Sequence, residues 1–221
     1  GEGLRPYARK DSCVTFIPNW VDEAIDDGLG FDSSEQNFDV FFAARAHIGE
    51  YPGDPRFEFP KAIRKTGDIS INLCGVEGHP IVQGAAFYEM INDARMGLNL
   101  NGDRQGSQPD PAPENLRYLY NSDRVAQLMG SGLLAISTRS NRLFELFPEN
   151  EEMVFADSVD ETLEVIRRYK KDDQARRHIA KAGWQKSHRE YSVDVITKYI
   201  EEVTFEKRLS RNYLWPTTLY T

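Results

Sequence analysis

The chain reads as an α/β protein built on a doubly wound, mainly parallel sheet, and three observations predict this. Short apolar runs rich in β-branched and aromatic residues alternate with helical patterns about six times along 221 residues. The runs are apolar without a polar alternation, as strands covered by helices on both faces are. Within Asn121–Thr138 a helix start, a glycine turn and a buried strand follow one another. Sheets of this kind bind ligands beyond the carboxyl ends of their strands.

Each element follows from local chemistry. Val14-Thr-Phe-Ile-Pro18 and Phe38-Asp-Val-Phe-Phe-Ala-Ala44 are expected strands, bounded by polar or Pro-containing sequence. Pro60-Lys-Ala-Ile-Arg-Lys65 is a short helical pattern closed by Gly67, and Ile69-Ser-Ile-Asn-Leu-Cys74 is the strand after it. A second helix is expected over Gly84–Asn92 and a fourth strand over Met96–Leu100. Asn101–Asn115, with three prolines and two glycines, is expected to loop over the sheet edge. Asn121 or Ser122 caps the next helix, and Gly132 turns the chain into its strand. Arg142–Phe147 suggests a short helix and Met153–Ala156 a last strand. Helical sequence then runs from Val159 to about Glu206, with breaks near Lys171–Asp173 and Tyr191–Ser192.

Composition narrows the function. A net charge of −8 gives no global field for nucleic acid or anionic membrane, and 40% hydrophobic content is enough for a core. Cys13 and Cys74 lack metal-ligand spacing and read as two buried thiols. No apolar run is long enough to cross a bilayer, and Gly1–Lys10 lacks the apolar centre of a secretion signal. A cytoplasmic location is expected.

The helix after Asn121 carries the most chemistry. Its capped start leaves backbone N–H groups and the positive dipole end facing the region above the sheet, where an anion fits. Arg124 in its first turn opposes the dipole, so it either points into solvent or helps to hold a negative ligand.

Residues from about Cys13 to Val203 resemble the C-terminal, nucleotide-sugar-binding half of a GT-B group 1 glycosyltransferase of the spore-maturation-protein type. The likeness rests on Ile17-Pro-Asn-Trp-Val-Asp22, Asp39-Val-Phe-Phe42, Met96-Gly-Leu-Asn-Leu-Asn101, and Ser122-Asp-Arg-Val125 with Gly132-Leu-Leu134. It continues through Leu143-Phe-Glu-Leu-Phe147, Glu152-Met-Val-Phe155, Ala180-Lys-Ala-Gly183 and His188-Arg-Glu-Tyr191. The order and spacing of the pieces carry it, rather than any one of them. It implies a Rossmann-like GT-B C-terminal domain over residues 13–204, preceded by a hinge remnant at 1–12. It also implies a tail at 205–221 that docks on a missing domain or on another copy.

The same resemblance implies metal-independent transfer from a nucleotide-diphosphate sugar, which is a co-substrate rather than a cofactor, with helix N–H groups and arginines holding the diphosphate. Arg45, Ser122, Arg124 and Gln127 are the implied donor-binding residues, and the loop with Gly75, Val76 and Gly78 the base-binding one. Such relatives usually have glutamate at position 127, where it holds the ribose hydroxyls. The amide of Gln127 keeps hydrogen-bonding groups but loses the charge. An acceptor-binding domain is an expected partner, and the catalytic base is expected there. Several residues keep a second reading: Arg45 as a loop arginine paired with a carboxylate, and Gly75 and Gly78 as turn formers, while Tyr88, at helical spacing from Ala85 and Ile91, reads as core packing rather than as a stacking platform. Glu145 equally fits a solvated helix position, and His47 a structural or solvated role.

Overall fold

The computed structural model describes residues 14–44, 54–100, 119–206 and 208–220. Among these residues, five strands form one sheet: β1 (Phe38–Ala43), β2 (Ile71–Cys74), β3 (Ala94–Asn99), β4 (Leu134–Ser137) and β5 (Val154–Phe155). Their spatial order is β2-β1-β3-β4-β5, and every pairing is parallel. Val40 sits between Ile71 and Met96, and Met96 lies opposite Leu134. The helices between and after the strands are α1 (Pro55–Thr66), α2 (Ala85–Asn92), α3 (Asp123–Gly130), α4 (Val159–Lys171), α5 (Asp173–Glu190) and α6 (Val193–Glu201).

Strand alternation divides the core into two layers. Phe41 and Ala43 face one side, where Ile91 of α2, Leu128 of α3 and Ile196 of α6 pack. Val40 and Phe42 face the other, against Ile63 of α1, Ile166 of α4 and Ile179 of α5. Both layers are built of buried apolar side chains, so the central strands are apolar on both faces, as their sequence predicts.

Helix boundaries follow their caps. α1 begins five residues before Pro60, because Asp54 accepts the Arg56 N–H at 2.8 Å and Pro55 opens the first turn. It ends where Gly67 turns left-handed at φ 71°. Asp172 closes α4 and also caps α5, accepting from Ala175 N–H at 3.0 Å, which is the break expected near Lys171–Asp173. The second break, at Tyr191–Ser192, is held by Val21, which donates to Tyr191 O and accepts from Val193 N–H, each at 2.9 Å.

Two expected elements differ. Val14–Pro18 is not a strand: Val14 makes an isolated antiparallel bridge to Tyr220, and Pro18 has no N–H with which to extend a ladder. Arg142–Phe147 forms only a 3₁₀ turn at Leu143–Glu145, because Arg142 adopts φ 56° and breaks the helical run. The expected loop 101–115 and hinge remnant 1–12 lie outside the described residues, as does Cys13.

The C-terminal tail returns to this domain. Tyr213 and Trp215 are buried in the core beside Tyr191 and Tyr199. Glu202, fully buried, accepts hydrogen bonds from the Ser210 N–H, the Ser210 hydroxyl and the Tyr213 hydroxyl. Phe205, Leu214 and Leu219 remain exposed.

Candidate functional site

The sheet reverses direction of growth at β1, whose two neighbours are reached by crossovers to opposite sides. Carboxyl ends diverge at such a point and leave a crevice. A cleft of about 350 Å³ opens there, floored by Ala43 and Ala44 at the end of β1 and by Cys74 at the end of β2. Its walls are Ile81–Gly84 with Phe87 and Tyr88 of α2 on one side, and Asp123, Arg124 and Gln127 of α3 on the other.

A buried polar network fixes the start of α3. Asn99, wholly buried at the end of β3, donates to the Ser137 hydroxyl at 3.0 Å and accepts from the Ser122 hydroxyl at 2.9 Å. Ser122 therefore has N-cap backbone geometry but makes no side-chain cap bond, since its hydroxyl is committed to Asn99. The expected Ser122 cap is corrected in that respect. Asn121 makes no cap bond either: its carbonyl accepts from Asn19, and its side-chain oxygen is buried without a partner.

Arg124 is half-buried and turned inward. Its guanidinium lies over the Phe42 ring at 5.4 Å and donates to Leu100 O at 3.0 Å and to Asn99 Oδ1 at 3.4 Å. All these partners are neutral, and burial pushes its pKa down by disfavouring the charged form. The nearby Arg56 is spent on Asp54, with which it forms a paired contact at 2.7 and 3.1 Å. Arg124 thus brings a positive charge to the cleft wall, with the Asp123 carboxylate beside it as its nearest opposite charge.

Gln127, one turn along the same face, lies beside the Tyr88 hydroxyl. Burial, and then the adjacent Asp26 carboxyl, push the Tyr88 pKa up to about 12. Asp26 itself is 4% exposed, and burial raises its pKa against the opposing pull of the Asp22 N–H and Tyr88 hydroxyl.

The loop after β2 is shaped by two left-handed glycines. At Gly75, φ 72°, a Cβ would stand 2.2 Å from Ala44 O, so only glycine lets this loop lie on the end of β1. Gly78 has φ 79° and Val76 is buried in the α1-side core. Gly75, Val76 and Gly78 carry the loop round, while its later residues Ile81–Gly84 line the cleft. Glu145 is exposed and paired with Arg142. Arg45 and His47 lie outside the described residues.

Asp26 and Asn99 are the site residues that sequence reasoning missed, and Tyr88, read there as core packing, reaches the cleft wall. Asn99 had a signal: a polar side chain inside the apolar run Met96–Leu100 must find partners when buried. Asp26 had none, since only the fold brings residue 26 to α2 and α3.

A sequence profile described as Glycosyl transferase-like matches residues 45–202. No curated protein matches the chain. Among solved structures, an α-glucosyltransferase in complex with UDP-glucose and DNA containing an abasic site is 10% identical, with TM-score 0.57, over 90% of this chain and 61% of its own. AviGT4, a glycosyltransferase involved in avilamycin A biosynthesis, is 17% identical, with TM-score 0.53, over 89% and 58%. Sucrose-phosphate synthase from Thermosynechococcus elongatus is 12% identical, with TM-score 0.52, over 93% and 55%. These likenesses show a shared fold, and the chain spans little more than half the length of these structures.

Proposed function

Because this chain belongs to the glycosyl transferase-like family, matched over residues 45–202, we propose that it is the nucleotide-sugar-binding, C-terminal half of a GT-B group 1 glycosyltransferase of the spore-maturation-protein type. The cleft between α2 and α3 is then the donor site. The observation that carries this reading is Arg124, an inward-turned cation whose guanidinium donates to the neutral oxygens of Asn99 and Leu100, on the wall of a crevice at the switch point of the sheet.

In transfer from a nucleotide-diphosphate sugar, the bond between the anomeric carbon and phosphate oxygen breaks and the departing diphosphate gains charge. Arg124 and the start of α3 meet that charge without a metal, joined by Arg45 from the chain beyond β1. Ser122 holds the helix start in place through Asn99. Gln127 faces the ribose hydroxyls, and the loop from Gly75, Val76 and Gly78 to Gly84 faces the base. The acceptor and the catalytic base belong to a second domain. The exposed Phe205, Leu214 and Leu219 of the tail offer contacts to that domain or to another copy of the chain. The reading places the protein in the cytoplasm, where nucleotide sugars are available.

A second reading, a domain that binds nucleotide or partners without catalysis, is favoured by Gln127, which lacks the charge of the glutamate usual there. The test is a thermal-shift screen against UDP, GDP, ADP, TDP and CDP. One diphosphate is expected to bind selectively, and Arg124→Ala to weaken it by about 10- to 100-fold, the worth of about 1.5–3 kcal/mol for hydrogen bonds to a charged group. Absence of binding by all five at millimolar concentration overturns both nucleotide readings.

A further inference from the structure

The wholly buried amide of Asn99 stands between the start of α3 and the end of β4. Its Oδ1 accepts from the Ser122 hydroxyl at 2.9 Å and from Arg124 Nη1 at 3.4 Å, while its Nδ2 donates to the Ser137 hydroxyl at 3.0 Å. Ser137, its partner across the strand pair, also accepts from Asn141 Nδ2 at 3.4 Å. The Ser137 hydrogen is then left for Asn99 O at 3.2 Å or Thr138 O at 3.4 Å. These neighbours dictate which way the amide faces, because a guanidinium only donates and must be met by oxygen.

The residue type follows from this arrangement. Position 99 must offer an acceptor toward α3 and a donor toward β4, and leucine, similar in shape, offers neither. Aspartate has the same shape but, ionised, only accepts, and it would set a negative charge against Arg124 where water screens little of it. The amide instead holds the guanidinium with a neutral oxygen, as Leu100 O does at 3.0 Å. The Asp123 carboxylate is exposed, and its Oδ1 accepts the Arg124 backbone N–H at 2.9 Å. Resting on the nucleotide-sugar reading, we propose that Asn99 is a positioning residue that fixes the Arg124 guanidinium at the cleft wall without cancelling its charge, which stays available to the phosphates of a nucleoside diphosphate. Through Ser122 and Ser137 the same amide ties the first turn of α3 to the end of β4, so the guanidinium and the helix start are held as one unit.

Ligand-observed NMR titration of the whole chain with UDP, GDP, ADP, TDP and CDP, each beside its nucleoside, tests this. Asn99→Asp is expected to weaken the best-binding diphosphate about tenfold and its nucleoside less than about twofold, a ratio that reads only folded protein. Asn99→Ala removes the acceptor without adding a charge. It is expected to weaken the diphosphate about threefold, the loss of one hydrogen bond, and to leave the nucleoside within about twofold. In an Arg124→Met background, Asn99→Asp should weaken the diphosphate less than about threefold, because its effect passes through the guanidinium. Equal losses of diphosphate and nucleoside, or an undiminished effect of Asn99→Asp in the Arg124→Met background, overturn the positioning role alone. Failure of the unaltered protein to bind any of the diphosphates overturns the donor-site reading, and the positioning role falls with it.

Discussion

A guanidinium that gives up water for two carbonyl oxygens and an aromatic face is poorly placed for stability and well placed for an anion. Arg124→Met keeps the apolar stem and removes the charge, so the unliganded domain is expected to melt about 2–4 °C higher, for a gain of about 1 kcal/mol, while losing diphosphate affinity. Calorimetric melting with and without nucleotide measures both effects. Arg124 was legible in the sequence because a basic residue in a helix's first turn runs against the dipole and invites a reason. Its surroundings were not. Ser122 reads as a cap from its residue type, yet Asn99, 23 positions earlier, takes its hydroxyl. Tyr88 reads as core from its helical spacing, and the same spacing brings its hydroxyl to the cleft. Asp26 joins the site only through tertiary contact, which local pattern does not encode.

At the scale of elements, helix ends were the most legible features, since Gly67 acts through its own left-handed turn and Asp172 through a bond to Ala175, three residues on. The short strand expected at Val14–Pro18 failed because a strand needs a partner, and the partner here is a single tail residue. Propensity and packing oppose each other at Gly183 in α5. Alanine there gains up to about 1 kcal/mol of helix propensity. Its Cβ, however, would stand 2.4 Å from the backbone oxygen of Glu152. Overpacking of that kind costs about 1–3 kcal/mol, so Gly183→Ala is expected to lower the urea midpoint.

The tail gives a pH dependence. Hydrogen bonds from Ser210, then Tyr213, with the charge of Lys198, hold the Glu202 carboxyl below its ordinary range. The folded form therefore binds this proton less readily than the unfolded chain does. Its stabilisation is complete at neutral pH and is lost as pH falls below about 4. Trp215 fluorescence is expected to report release of the tail in that range, and Glu202→Gln to weaken the anchorage at pH 7 and flatten the acid response.

Over the whole molecule, the fold class followed from the alternation of apolar runs and helical patterns, and the parallel pairing followed with it. Strand order did not, because crossover direction is decided by packing among elements far apart in sequence. The location of the cleft was legible only in general terms, as the carboxyl side of the sheet; the reversal at β1 puts it at Ala43 and Ala44. That same strand order bears on how the sheet is built. β1 comes first, β2 adds to one side and β3 to the other, and β4 and β5 then extend the β3 side in turn. Every arriving strand meets a free edge, and none has to be threaded between two already paired. The slow step common to parallel sheets, closure of distant pairings, is thereby divided into short stages. A ribosome delivering this chain from its amino end supplies each strand in the order in which the growing sheet can accept it.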